Sequence, residues 1–261
     1  MSVSDCAPFR DKPVIVKIQV PEYIEARIRQ RPPEGLPVVR GSTPVVAFGD
    51  VRGAEVATLG LNPSKKEFLD DNGNELTGAE QRLETLTSLK ESDLSLASPG
   101  VIRKVFDCCN NYFQRNPYRK WFDKLEDILT PLEWSYYSGS GCHLDLVQWA
   151  TNPTWRGLPH DDGKTLIEGD LWFLRKQVSH EHIRVLLLNG SSVVKAYTKS
   201  FGCELVQKGI SGRVGWNLFV GRNEQGVRVI GGNKNLQGSP GVSKEDRKVL
   251  SMAIKKELID G

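Results

Sequence analysis

The sequence has no apolar run near the roughly 18–20 residues that a membrane span requires, so an integral membrane protein is not expected. Its first residues, MSVSDCAPFRDKP, lack an apolar core followed by a cleavage site and do not read as a secretory signal. Cysteine is scarce: five residues, at positions 6, 108, 109, 142 and 203, odd in number and without a CxxC pair. That pattern argues against a disulfide framework and against a four-cysteine zinc or iron–sulfur centre, and it favours a reducing, cytoplasmic compartment. There is no internal repeat or low-complexity segment, and no G-x-S-x-G nucleophile elbow of the kind α/β hydrolases use. His180-Glu181-His182 is the one histidine cluster. Residues at i and i+2 do not share a helix face, so no metal role is assigned to it.

What is present is 261 residues, enough for one large domain or two small ones with a proper core. The net charge of +3 is unevenly spread. Lys and Arg against Asp and Glu give +2 over residues 1–49, −5 over 50–100, neutrality over 101–194 and +6 over 195–261. A basic last quarter suits phosphates, although a charge excess is more often a solvated surface.

The Pro-rich stretch 31–44 reads as an extended connection between an N-terminal arm (1–44) and the main domain (45–261). Beyond it, strand-length apolar runs at 55–61, 143–149, 183–188, 216–220 and 227–230 alternate with helical patterns. The helical patterns cover 99–113, 118–129, 166–179, 190–201 and 244–258. Alternation of this kind implies an α/β three-layer sandwich around a central, mostly parallel four-stranded sheet. Ligands in such sheets bind beyond the carboxyl ends of the strands.

Four segments therefore matter. The first is Gly60-Leu61-Asn62-Pro63-Ser64, where Asn-Pro alone reads most simply as a turn. The second carries His143, Asp145 and Gln148, polar residues inside an apolar strand that need partners. The third ends in Asn189-Gly190, read as a helix cap with a tight turn. The fourth is the glycine-rich loop 231–243 before a helix opening with Lys244, suited to phosphate oxygens. Asp50, in Phe48-Gly49-Asp50, reads better as a turn residue than as a second acid. At least one of Cys108 and Cys109 reads as core.

In this order the segments resemble the uracil-DNA glycosylase superfamily over residues 45–258. Gly60-Leu61-Asn62-Pro63 is similar to its G-x-[N/D]-P motif. Leu144-Asp145-Leu146-Val147 matches its base-reading strand with Asp in place of Asn, and Gln237-Gly238-Ser239-Pro240 matches its late loop with Gln in place of His. The stretches PVVAFGD, ATLGLNPS and CHLDLVQWATNP also look like a bacterial subgroup of this superfamily, a similar member of which inhibits phage by removing glucosylated hydroxymethylcytosine from its DNA.

The resemblance implies a cofactor-free, monofunctional glycosylase acting as a monomer on double-stranded, base-modified phage DNA. Asn62 would orient water, and Gln237 or a nearby backbone N–H would donate to the leaving base. Leu61, Ser64, Phe68, His143, Asp145 and Asn152 would surround the flipped base, with core packing an equally good reading of Phe68. Lys65 and Lys66 join His143 and Asn152 as candidate contacts to a C5 substituent. Ser239, Val242, Ser243 and Lys244 would meet the DNA backbone. Ser64 stands where uracil-specific enzymes carry a tyrosine wall, and Asp145 favours the exocyclic amine of cytosine. A uracil or mismatch repair glycosylase and a non-catalytic nucleic-acid-binding module of the same fold are the alternatives.

Overall fold

A computed structural model describes residues 19–180, 182–238 and 241–260. The strands are β1 Val56–Gly60, β2 Gly141–Asp145, β3 Val185–Asn189, β4 Val206–Gly209, β5 Asn217–Arg222 and β6 Arg228–Gly232, in one sheet of order β2-β1-β3-β6-β5-β4. The first four of that order are parallel; β5 and β4 continue the sheet antiparallel. The expectation of an α/β fold is met, but the four-stranded sheet is corrected to six mixed strands. Strand β4 leaves no hydrophobic pattern, because all four of its residues are exposed at the sheet edge. By contrast, Val56–Leu59 and the whole of β3 are buried, as strands covered on both faces must be.

The helices are α1 Glu22–Ile28, α2 Leu86–Leu89, α3 Pro99–Asn110, α4 Arg119–Leu129, α5 His160–His180, α6 Ser191–Phe201 and α7 Lys244–Asp260. Their ends follow local chemistry. Ser98 caps α3 by accepting from Val101 N, with Pro99 at the first helical position, and Gly202 closes α6 in the left-handed conformation. Leu125 and Ile128 of α4 face Leu250 and Ile254 of α7 across the sheet face that carries Thr58, Leu187 and Ile230. On the opposite face Val194 of α6 lies so close to Gly231 that a Cβ there would approach to 2.5 Å. Cys108 and Cys109 are both buried in α3, and burial pushes their thiols up to about 11 and about 12. Among the described residues no helix is long and apolar enough to cross a membrane.

Two expected boundaries move. The second strand ends at Asp145, not at 149. Residues 146–150 stay buried although the chain has left the ladder, and burial alone does not distinguish the two states. The described part of the expected arm and linker is also built into the domain. Ile24 and Ile28 are fully buried in the main core, and Val39 N donates to Ala150 O at 2.8 Å.

Arg27 ties this segment down. Its guanidinium donates to Asp170 Oδ2 at 2.7 Å and lies 5.0 Å from the Trp149 ring, while Gln148 N donates to the same Asp170 oxygen at 2.8 Å. Burial moves both partners toward their neutral forms despite their mutual attraction. Removing one partner should therefore hurt far more than neutralising both. Arg27→Met is expected to cost about 3–5 kcal/mol in urea unfolding. Adding Asp170→Asn, which retains an acceptor for Gln148 N, should restore more than half of that loss.

Candidate functional site

The parallel register lines up the last residues of four strands. Gly60 pairs with Asp145, Asn189 with Gly232, and one step beyond the Leu59–Leu188 pair Gly60 stands level with Asn189. Side chains in this row share a face with those two residues earlier: Thr58, His143, Leu187 and Ile230. The row lies where strand order reverses between β1 and β3, the place where α/β sheets hold ligands. A glycine in the row is required. A Cβ on Gly60 would sit 2.4 Å from Asp145 Oδ1 and 3.0 Å from His143 Nε2, so both side chains lean over the end of β1.

The loop after β1 is clamped to the loop after β2. Leu146 N donates to Gly60 O and Val147 N to Leu61 O. Asn62 Nδ2 donates to Trp149 O and to Thr151 Oγ1, both at 3.1 Å, so both amide hydrogens are engaged and its carbonyl oxygen is the atom left to accept. Lys65 Nζ donates to Asn152 Oδ1 at 3.0 Å across the same seam. Ser64 is half-buried, and its hydroxyl accepts from Lys66 N to start the short 3-10 turn Lys65–Glu67.

Four buried polar atoms at or just after the strand ends have no hydrogen-bond partner: the acceptors Asp145 Oδ1 and Gln148 Oε1 and the donors Trp149 Nε1 and Gln237 Nε2. His143 Nε2 approaches Asp145 Oδ1 only to 3.4 Å. Gln237 is oriented by Asn189, whose Nδ2 donates to Gln237 Oε1 at 2.7 Å and whose Oδ1 accepts from Leu236 N at 2.9 Å. Lys124 Nζ of α4 donates to Gln237 O at 2.9 Å. Asn189 is therefore an anchor for the late loop, not the helix cap the sequence implied; Gly190, at φ 100, occupies the cap position. A small space of about 30 Å³, water-sized, lies beside Asn189 against Leu187 and Ile230. The 340 Å³ groove between Glu55, Trp134 and Arg184 is at the other, amino end of the strands.

Neither a family model nor a curated protein matches this chain.

Several sequence-derived assignments change. Phe68 is 2% exposed within the main core, the packing alternative rather than a stacking surface. His143 is 3% exposed, and its Nδ1 is engaged 2.7 Å from Thr58 Oγ1 instead of facing a base substituent. Asn152 is exposed at the seam, and Lys66 is paired with Asp71. Asp50 lies in the turn before β1, where its carboxylate accepts from Arg52 N. Val242 packs half-buried on the core, which leaves it little surface for DNA. Ser243 and Asp246 form a reciprocal cap on α7: Asp246 accepts from Ser243 N and Oγ, and Asp246 N donates to Ser243 Oγ. These bonds hold the Asp246 carboxyl below its ordinary range. The N–H and hydroxyl of Ser243 thus already face a carboxylate, while Lys244 remains exposed beside them. Ser239 lies outside the described residues. Four basic residues of the last quarter are paired within the fold: Lys208 and Arg228 meet Glu257, Arg213 meets Asp246, and Arg247 meets Asp127.

Glu67 was not singled out in the sequence, and nothing in its local pattern marks it. It is 1% exposed, accepts from Tyr112 Oη at 2.6 Å, and lies within electrostatic reach of Asp145 and Arg82. Burial raises its pKa to about 7, against the lowering effect of the Tyr112 hydrogen bond. A carboxyl whose folded pKa is raised contributes stability that is complete at low pH and is lost as pH rises through the folded value. Unfolding free energy should thus fall by about 3 kcal/mol between pH 4.5 and 8 on account of Glu67. Glu67→Gln should flatten that slope, as read from urea unfolding across this range.

Proposed function

We propose that the protein is a monofunctional DNA glycosylase acting on a flipped, C5-modified cytosine. The observation that carries this reading is that, of the unsatisfied buried atoms, one acceptor, Asp145 Oδ1, stands at the carboxyl end of β2 and one donor, Gln237 Nε2, belongs to the side chain that Asn189 holds at the carboxyl end of β3. Buried polar atoms without partners are uncommon and costly, and a ligand with the complementary groups relieves that cost. Cytosine offers an exocyclic amine to Asp145 and a carbonyl O2 to Gln237, whereas uracil would set its O4 acceptor against a carboxylate.

The chemistry follows from the same residues. Asn62 has spent its amide hydrogens on Trp149 and Thr151, so its carbonyl oxygen accepts from a water and directs it at C1′ of the extruded nucleotide. As the water oxygen bonds to C1′, the C1′–N1 bond breaks and its electron pair passes to the base. Gln237 Nε2 donates to O2, where the negative charge collects. The water's proton leaves to solvent or to the released base, and an abasic site remains. Lys65 Nζ, the amine nearest in sequence to Asn62, is held by Asn152, which favours hydrolysis over imine formation. The four parallel strands and the ordered motifs of the uracil-DNA glycosylase superfamily support the reading. The likeness of residues 44–50 and 142–153 to a bacterial subgroup with a phage-inhibiting member supports glucosylated hydroxymethylcytosine in double-stranded phage DNA as the target, and a role in antiviral defence. Ser64, small and half-buried beside Asn62, is consistent with space for a C5 substituent.

The test is single-turnover release of abasic sites from duplexes carrying glucosylated hydroxymethylcytosine, cytosine or uracil. The modified base should be cut, plain cytosine spared and uracil cut poorly. Asn62→Ala should abolish release while duplex binding persists. Gln237→Ala should slow release by about 10²–10³-fold, the scale for losing one donor to a developing anion. Asp145→Asn should move residual activity toward uracil. Efficient uracil release by the wild type, with the modified cytosine untouched, would instead identify a repair enzyme.

A further inference from the structure

Behind Asp145 runs a chain of buried polar groups that packing alone does not require. Tyr136 is fully buried, and its hydroxyl lies 2.5 Å from Thr58 Oγ1. Thr58 Oγ1 lies 2.7 Å from His143 Nδ1, and His143 Nε2 faces Asp145 Oδ1 at 3.4 Å. The register makes this possible. Thr58 and His143 are directly paired across β1 and β2, His143 and Asp145 are two apart on one face, and Gly60 leaves open the space where the last two meet.

Counting protons gives the chain a direction. Thr58 Oγ1 is the only hydrogen-bond partner described for the Tyr136 hydroxyl; of the two directions this contact allows, Tyr136 as donor is the one that leaves no buried phenol proton unpaired. Thr58 then has one hydrogen of its own, which it gives to His143 Nδ1. A His143 with a single ring proton then carries it on Nε2, facing Asp145 Oδ1. The opposite direction would place a bare Nε2 lone pair against a carboxylate oxygen inside the protein, an unfavourable contact. Phe48 and Phe122 flank the imidazole at 5.7 and 5.3 Å between ring centroids and restrict its rotation. The other charged groups near Asp145 are Glu67 and, beyond it, Arg82.

We propose that the Tyr136–Thr58–His143 chain is a positioning device that fixes the His143 tautomer, steers Asp145 over Gly60 and thereby makes the site demand a base with an exocyclic amine. The proposal rests on the glycosylase reading for its substrate, but its tautomer is a property of the free protein. With Nε2–H facing Asp145 Oδ1 at 3.4 Å and making no hydrogen bond to it, the carboxylate stays an acceptor, and the donor it lacks is the base amine. His143 acts through Asp145 and touches no reacting atom.

Two measurements test it. In the wild-type chain, long-range ¹H–¹⁵N spectra should show His143 protonated at Nε2 and bare at Nδ1, and Thr58→Val should shift that signature toward a tautomer mixture. A wild-type His143 carrying its proton on Nδ1 would overturn the proposal whatever the enzyme does. In single-turnover assays, Thr58→Val and His143→Leu should each lower release of glucosylated hydroxymethylcytosine by about 10- to 100-fold and narrow its preference over uracil. His143→Gln, whose side-chain amide places an N–H near the Nε2 position, should recover most of both. Tyr136→Phe, the mildest change, keeps the test open if a core variant does not fold, and it should move rate and preference in the same direction. If folded variants keep rate and preference within threefold of wild type, the chain is packing and the proposal falls. If the wild type shows the Nε2 tautomer yet releases no base from any duplex, the glycosylase reading has failed and the specificity role falls with it.

Discussion

Strand β1 ends in a residue without a side chain, and the volume a Cβ would need is filled by Asp145 Oδ1 and His143 Nε2. Because β1 has β2 and β3 as its neighbours in the sheet, that vacancy lies at the middle of the strand-end row, where the chain order reverses. A polar side chain from β2 can thus extend across β1 toward the late loop held by β3. Parallel pairing enforces the arrangement: strands in register deliver their final side chains to one edge and one face together. The remaining site contacts are ways of holding loops around this one opening.

The two sides of the opening are held by different means. On the β2 side, Asn62, Thr151, Lys65 and Asn152 stitch two loops directly to each other, and behind them Asp170 bonds both Gln148 N and Arg27. The N-terminal helix is thereby coupled to the loop that carries Asn62's partners. On the β3 side the late loop hangs on Asn189 and Lys124, with Asn233 reaching back to Gly215 and Asn217. The two sides therefore stiffen the site through separate sets of bonds. Of the unsatisfied atoms, Asp145 Oδ1 and Gln237 Nε2 come one from each side.

Charge is used sparingly. Of the acidic groups near the opening, Glu67 is raised to about 7 by burial and hydrogen-bonded to Tyr112. A neutral Glu67 spares Asp145 a second negative charge in a low-dielectric setting, where like charges are expensive. In the basic last quarter Lys208, Arg213, Arg228 and Arg247 are held in pairs with Glu257, Asp246 and Asp127.

The sequence by itself determined the α/β class, the approximate place of the four parallel strands and the prominence of Gly60-Leu61-Asn62-Pro63, Asp145 and Gln237. Hydrophobic runs, turn residues and polar groups in apolar strands are local signals, and one chain is enough to display them. It did not reveal β4, whose exposed residues carry no pattern, nor the burial of α1, since Ile24 and Ile28 alone do not say what covers them. It also missed Glu67, Thr58, Tyr136 and the true role of Asn189, and it placed Ser243 and Val242 at a DNA interface when one caps α7 and the other packs inward. Those features exist only where segments far apart in the chain meet: Thr58 with Tyr136 and His143, Glu67 with Tyr112, Asn189 with Gln237. Only the tertiary structure decides them, because a buried polar group's role is set by its partner, and partners here are brought together by strand register and loop closure rather than by spacing along the chain.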